Sequence, residues 1–328
     1  MKRREFITVV GGAAATWPLA ARAQQKERAY RIGYLCAPSR ESVQRTLDAF
    51  LRKLRELGWV EGSNLIIEYR WADGDIARLP ELAVELVRQN VDLIVAPNTA
   101  AVVAAKNATN NIPIVMIFPS EPVQLKLVSS LRQPGGNVTG TTFTAGPGFL
   151  GKLLETLKQA VPDVSKVGVL GSSVDPASVY QTGDMQAAAT TLGIQLQWFD
   201  VSGPDQLNQT FAALASKPVD ALLINASGTL LPHRNKLSEL AIKERLPMIA
   251  SIREFAEAGT LLTYGVNLSE FVGCSAVYVD KILKGAQPAD LAVEQPTKYE
   301  LVINLHTAKA LGITISPAVL ARADEVIE

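Results

Sequence analysis

The chain has 328 residues, with 32 basic and 32 acidic side chains and a formal net charge of zero. Apolar residues make up 48% and charged ones 20%, a globular mixture that excludes a disordered or fibrous chain. A length near twice the usual ~150 residues per domain predicts two domains, and neutrality argues against a nucleic-acid binder, which carries a basic excess. Two cysteines, Cys36 and Cys274, and two histidines, His233 and His306, are too few for a disulfide scaffold or a Cys/His metal centre.

The zero is a composite. Lys2, Arg3 and Arg4 form a positive start, residues 7–19 are mostly apolar, and Ala21-Arg22-Ala23 is a small-x-small cleavage site. That is the layout of a removable export signal over residues 1–23, too short to span a bilayer. The paired arginines before Glu5, Phe6 and Ile7 resemble a twin-arginine signal. Without it, 305 residues remain, with 28 basic and 31 acidic groups and a net charge of −3. No later segment is a long enough apolar run to cross a membrane.

Short apolar runs then alternate with amphipathic stretches. Residues 31–35 read as a strand and 41–57 as a helix, with Val43, Leu47, Phe50, Leu51, Leu54 and Leu57 on one face and Gly58 as its stop. Strands at 65–71, 91–95, 112–118 and 137–143 alternate with helices at 76–89 and 99–109. A cluster of glycine and proline at 144–148 breaks the series. The rhythm restarts with helices at 149–161, 176–192, 205–216 and 230–245 and strands at 166–170, 194–201, 219–225 and 247–251. Strand–helix alternation predicts parallel sheets of right-handed βαβ units, and two series predict two similar lobes. The tail carries a strand at 260–264, a helix at 269–284 and an extended 301–304, so the chain is expected to cross back to the first lobe and return. The expected division is 27–143 plus 266–290 for one lobe and 146–263 plus 291–328 for the other.

Gly146-Pro-Gly-Phe-Leu-Gly151-Lys152 fits phosphate-loop spacing, yet Leu153 stands where magnesium needs a hydroxyl. An interlobe linker running into a helix is the better reading. Asp73 and Asp75 flank Gly74 and read as a turn; His233 and His306 read as surface or capping residues. Cys36 and Cys274 can pair if the tail helix packs on lobe one, and Cys36 can equally be a buried thiol. No catalytic constellation, metal site or cofactor is expected.

What remains is the loops after the strands, where open α/β sheets bind ligands. In the first lobe they supply Ser39, Asn98, Thr99, Ala100, Phe118, Ser120 and Glu121. In the second they supply Ser172, Ser173, Asp175, Asn225, Ser227 and Arg253, with Tyr180 and Tyr264 as apolar cover. Thr99 and Ala100 open a helix whose N–H groups can hold a carboxylate, with Ser172 and Ser173 opposite. Glu121, Asp175 or Glu254 can meet an ammonium. Helix capping is the plainer role for any one of them; the facing sets carry the expectation.

Leu54-Arg-Glu-Leu-Gly-Trp-Val-Glu-Gly62, Ile67-Glu-Tyr-Arg-Trp71, Arg132-Gln-Pro-Gly-Gly-Asn-Val-Thr-Gly140, Arg253-Glu-Phe-Ala-Glu-Ala-Gly259 and Val279-Asp-Lys-Ile-Leu-Lys-Gly285 together resemble the ABC-transporter substrate-binding proteins whose better-known members take aromatic amino acids. The resemblance covers nearly all of the chain after the export signal. It implies a type I periplasmic binding fold, with two Rossmann-like lobes, about three crossovers and a ligand between them. It also implies a non-catalytic, monomeric periplasmic receptor that hands a small organic solute, best matched by an amino acid or an aromatic amino acid, to an inner-membrane permease. The family's Gly-Asp-Pro stands here as Ser120-Glu121-Pro122. A ligand-sensing partner of a receptor kinase and an exported enzyme on the same fold are the alternatives. No helix-turn-helix precedes the lobes, so a nucleic-acid partner is not expected.

Overall fold

The computed structural model describes residues 29–143, 148–201, 204–224 and 230–328. The expected export signal, most of the 144–148 linker, and Asn225 and Ser227 lie outside them.

The first sheet has the order β2-β1-β3-β4-β5, with every pair parallel. Its strands are β1 (Tyr30–Cys36), β2 (Leu65–Trp71), β3 (Leu93–Pro97), β4 (Ile114–Ile117) and β5 (Val138–Gly140). Helix α1 (Arg40–Glu56) lays Leu47, Phe50 and Leu54 on the sheet, and each such burial contributes about 1.5–3 kcal/mol. Gly58 follows at φ 94°, a left-handed turn that glycine takes without strain. The helix expected over 76–89 is split. A 3-10 turn (Ile76–Arg78) precedes α2 (Leu79–Arg88), because Pro80 fits only a first helical turn. Asp75 caps that turn by accepting from Ala77 N, and Asp73 pairs with Arg78, so both aspartates serve the loop. Helix α3 (Thr99–Ala108) lies between β3 and β4.

The second sheet has the order β12-β11-β10-β9-β8-β6-β7. Helix α4 (Phe149–Ala160) leads into β6 (Lys166–Gly171), α5 (Ser178–Leu192), β7 (Gln195–Asp200), α6 (Pro204–Ser216) and β8 (Ala221–Ile224). Then come α7 (Arg234–Lys243), β9 (Met248–Ile252), α8 (Glu254–Glu257) and β10 (Leu262–Val266). Pro232 again marks a 3-10 turn, Leu231–His233, ahead of the helix. The phosphate-loop lookalike ends in an ordinary helix start: Leu153 is fully buried and Lys152 pairs with Glu155 at 2.8 Å.

The tail crosses back. Helix α9 (Leu268–Leu283) packs Val272, Ala276 and Val279 into the same core as α1 and β1. The chain then runs along the edge of the first sheet, where Glu294 N donates to Gly140 O and Thr142 N to Glu294 O. The return expected at 291 therefore falls after Glu294, since Leu291 and Val293 both pack on first-lobe cores. Strand β11 (Glu300–Asn304) joins the second sheet antiparallel to β10, the one reversal among the described strand pairs. Helices α10 (Leu305–Leu311) and α11 (Pro317–Leu320) and strand β12 (Glu325–Ile327) complete it. The result is the two-lobe α/β architecture of a type I periplasmic binding protein, with passages between the sheets after β5, after β10 and before β11. Both cysteines are free; Cys36 is buried, so packing α9 on the first lobe does not pair it with Cys274. Among the described residues no helix is long and apolar enough to cross a membrane, and no group of three His, Cys, Asp or Glu side chains could hold a metal.

Candidate functional site

Both sheets reverse strand order near their centres, β1 against β3 in the first and β6 against β8 in the second. Loops leaving such a point diverge and leave a crevice. Here the two crevices face each other, and a cavity of about 100 Å³ lies between the lobes.

The first lobe contributes most of the wall. Tyr34, Cys36 and Pro38 come from the end of β1, Val43 and Thr46 from α1, and Pro97, Asn98 and Thr99 from the β3–α3 turn. Ile117, Phe118 and Ser120 follow from β4, and Phe143 from the passage after β5. The second lobe adds Asp175, Leu231 and Ile252, and α9 adds Leu268 and Val272. Asp175 is the one ionisable carboxylate among these lining residues, and none of them is Lys or Arg.

The rim holds unusual backbone. Asn98 has φ 83° and Phe118 φ 59°, in the left-handed region that non-glycine residues occupy at a cost of about 1–3 kcal/mol. Asn98 accepts from Ala101 N at 3.1 Å and so caps α3. Thr99 Oγ1 accepts from Ser120 N at 3.1 Å, with both residues buried. The N-terminus of α3 therefore opens at the cavity wall, a place suited to a carboxylate. Phe118 meets Phe271 with ring centroids 5.0 Å apart and planes tilted by 31°, joining the end of β4 to α9. At the floor, burial raises the Tyr34 hydroxyl well above its ordinary value and the Cys36 thiol with it. Both are neutral, so the inner end of the cavity carries no charge.

Of the residues singled out in the sequence, Asn98, Thr99, Phe118, Ser120 and Asp175 line the cavity. The other described candidates stand elsewhere. Ser39 precedes α1 without a capping bond, and its carbonyl accepts from Ser42 Oγ. Ala100 packs on the first-lobe core behind Thr99. Glu121, at φ 53°, lies beside the cleft, and burial and Asp184 of α5 raise its carboxyl. Ser172 is 2% exposed and its hydroxyl has no protein partner. Ser173 N is taken by Asp200 at 2.6 Å, so it offers no free donor to a ligand. Tyr180 is 47% exposed. Arg253 is held by Glu257, Glu300 and Glu325, and Tyr264 stacks with Phe149 and Tyr299. Asn225 and Ser227 lie outside the described residues. His233 is half-buried, its value lowered by burial, and His306 is exposed at the start of α10; neither lines the cavity.

Tyr34, Thr46, Phe143, Leu231 and Val272 are lining residues that the sequence reading did not single out. Their signal was positional. Ile32, Tyr34 and Cys36 alternate on one face of β1, and the last two lie at its carboxyl end, where the sheet opens onto the other lobe.

Residues 32–327 match the family model described as ABC transporter substrate binding protein. A curated tyrosine-binding protein from Clostridioides difficile (strain R20291) is 28% identical over 272 residues, covering 83% of this chain and 78% of that protein. A Streptococcus pneumoniae ABC domain solved in complex with L-Trp is 28% identical, covering 91% of this chain and 99% of its own, with a TM-score of 0.84. The ligand-free, open structure of a substrate-binding protein with adhesive properties from Clostridium difficile is 26% identical over 91% and 99% of the two chains, with a TM-score of 0.64. With a family of solute-binding proteins matched over almost the whole two-lobe body, this chain belongs to the ABC transporter substrate-binding proteins.

Proposed function

We propose that this chain is the periplasmic receptor of an ABC importer and that it takes an amino acid with an aromatic side chain in the cleft between its lobes. One observation carries the reading: a largely apolar cavity whose lining holds one carboxylate, Asp175, on one lobe and a helix N-terminus, at Thr99, on the other. An ammonium pairs with Asp175, a carboxylate meets the first N–H groups of α3, and a ring lies against Tyr34, Cys36 and Val272. The named relatives, which bind tyrosine and L-Trp, support the class.

At nearly equal identity and coverage, the lobes superpose far better on the L-Trp complex than on the open, ligand-free relative. The arrangement described here is thus taken as the closed one. Ligand favours closure to the extent that it binds that state more tightly, and a closed pair of lobes gives a permease a composite surface. Residues 1–23 direct export by the twin-arginine route and are cleaved near Ala23, leaving a monomer. A thermal-shift series on the chain from Gln24 onward, across amino acids, sugars and nucleosides, tests the class. Stabilisation by L-tyrosine or L-tryptophan is expected; stabilisation by sugars or nucleosides alone contradicts it.

A further inference from the structure

The lobes are joined beyond the cavity by charge. Arg45 of α1, in the first lobe, reaches Glu257 of α8, in the second, with Nη1 to Oε2 at 2.6 Å. The other Glu257 oxygen faces Arg253 Nε at 3.6 Å. Arg253 is itself fixed, by Glu300 of β11 at 3.4 Å and Glu325 of β12 at 2.5 Å. Glu300 also holds Lys298, in the last segment to cross between the lobes, at 2.7 Å. A line of alternating charge therefore runs from the first lobe, through the end of β9, to the hinge.

We propose that one interlobe ion pair sets how readily the cleft closes: Arg45 with Glu257 latches it. Arg253 is a positioning residue for the latch; it orients Glu257 and does not touch the cavity. As regulation of solute retention the device rests on the proposed receptor function, while its effect on lobe spacing does not require a ligand.

The test reads lobe spacing by fluorescence transfer between dyes on non-natural residues at Glu81 and Glu244, in the ligand-free chain from Gln24 onward. Arg45→Ala and Arg253→Ala are expected to lower the closed fraction, and Arg45→Lys, which keeps the charge, to hold it closer to wild type. Dissociation of L-tryptophan or L-tyrosine, measured in the same variants, should quicken about two- to fivefold in Arg45→Ala, the scale of an exposed pair. Unchanged spacing in all the variants, or a loss as large in Arg45→Lys as in Arg45→Ala, overturns the proposal. Failure of both amino acids to bind the wild type instead removes the aromatic reading and leaves the spacing result standing by itself.

Discussion

Ser120 donates its backbone N–H to Thr99 Oγ1 across 3.1 Å, and this bond ties the loop after β4 to the first turn of α3 within one wall of the cleft. Both residues are buried. Thr99→Val keeps the shape and removes the acceptor, leaving a buried N–H unpaired at a cost of about 1–3 kcal/mol. The expected outcome is a lower melting temperature together with weaker amino-acid binding, read by calorimetry. An unchanged melting temperature would contradict this account of the wall.

Asp175 accepts from Ala177 N at 3.0 Å through Oδ1, a bond that asparagine can also accept. Asp175→Asn therefore removes charge with little change of loop. Hydrogen bonds to charged groups contribute about 1.5–3 kcal/mol, so affinity for an aromatic amino acid should fall about tenfold or more while the melting temperature holds. The deaminated acid, which lacks the ammonium, should lose no affinity in the variant. An equal loss for both compounds would place the ammonium elsewhere.

Glu254 opens α8 at 8% exposure, and its Oε2 has no protein partner. Burial is the main cause that pushes its carboxyl up to about 7, with Glu257 adding to the rise and Arg45 and Arg234 opposing it. The folded state therefore binds this proton more tightly than the unfolded chain does. Stability from this group is present below the ordinary carboxylate range and is lost as pH rises through about 7. Glu254→Gln should leave the melting temperature little changed near pH 4 and raise it near pH 8, by an amount corresponding to at most about 3 kcal/mol. Parallel pH profiles for the two proteins would show that the carboxyl is not strained by burial.

Gly265 lies at an irregularity in the β9–β10 pairing, where a Cβ would sit 1.7 Å from Ser251 O. No side-chain movement relieves a clash with backbone. Gly265→Ala should separate β9 from β10 beside the passage into α9, and soluble yield or melting temperature should drop sharply. A variant as stable as wild type would mean that the two backbones are not so close.

Burial raises both thiols, that of Cys36 much the further. In the native chain an alkylating reagent should modify Cys274 slowly and Cys36 only after unfolding, as read by mass spectrometry. Fast Cys36 labelling that L-tryptophan does not suppress would contradict the closed, buried cavity floor.

The strand–helix rhythm was legible because buried parallel strands are short apolar runs and their helices carry one apolar face. Phe50 and Leu54, placed inward from spacing alone, are buried in the core shared with α9. Asn98, Thr99 and Ser120 were legible as ligand candidates because they stand in the loops after parallel strands, where open α/β sheets bind ligands. The apolar wall was not: Tyr34, Phe143 and Val272 read as core, and only the apposition of two lobes turns core into cavity. Arg253 misled because its acidic partners, Glu300 and Glu325, are 47 and 72 residues away in sequence. Tyr264 misled in the same way, since its stacking partners Phe149 and Tyr299 come from distant segments.

A crystal structure of the chain from Gln24 onward with L-tryptophan tests the central claim most directly. The account predicts one ligand between the lobes, its ammonium at Asp175, its carboxylate at the start of α3 and its ring against Tyr34 and Cys36. A cleft left empty at saturating ligand, or a ligand bound away from both Asp175 and Thr99, would contradict it.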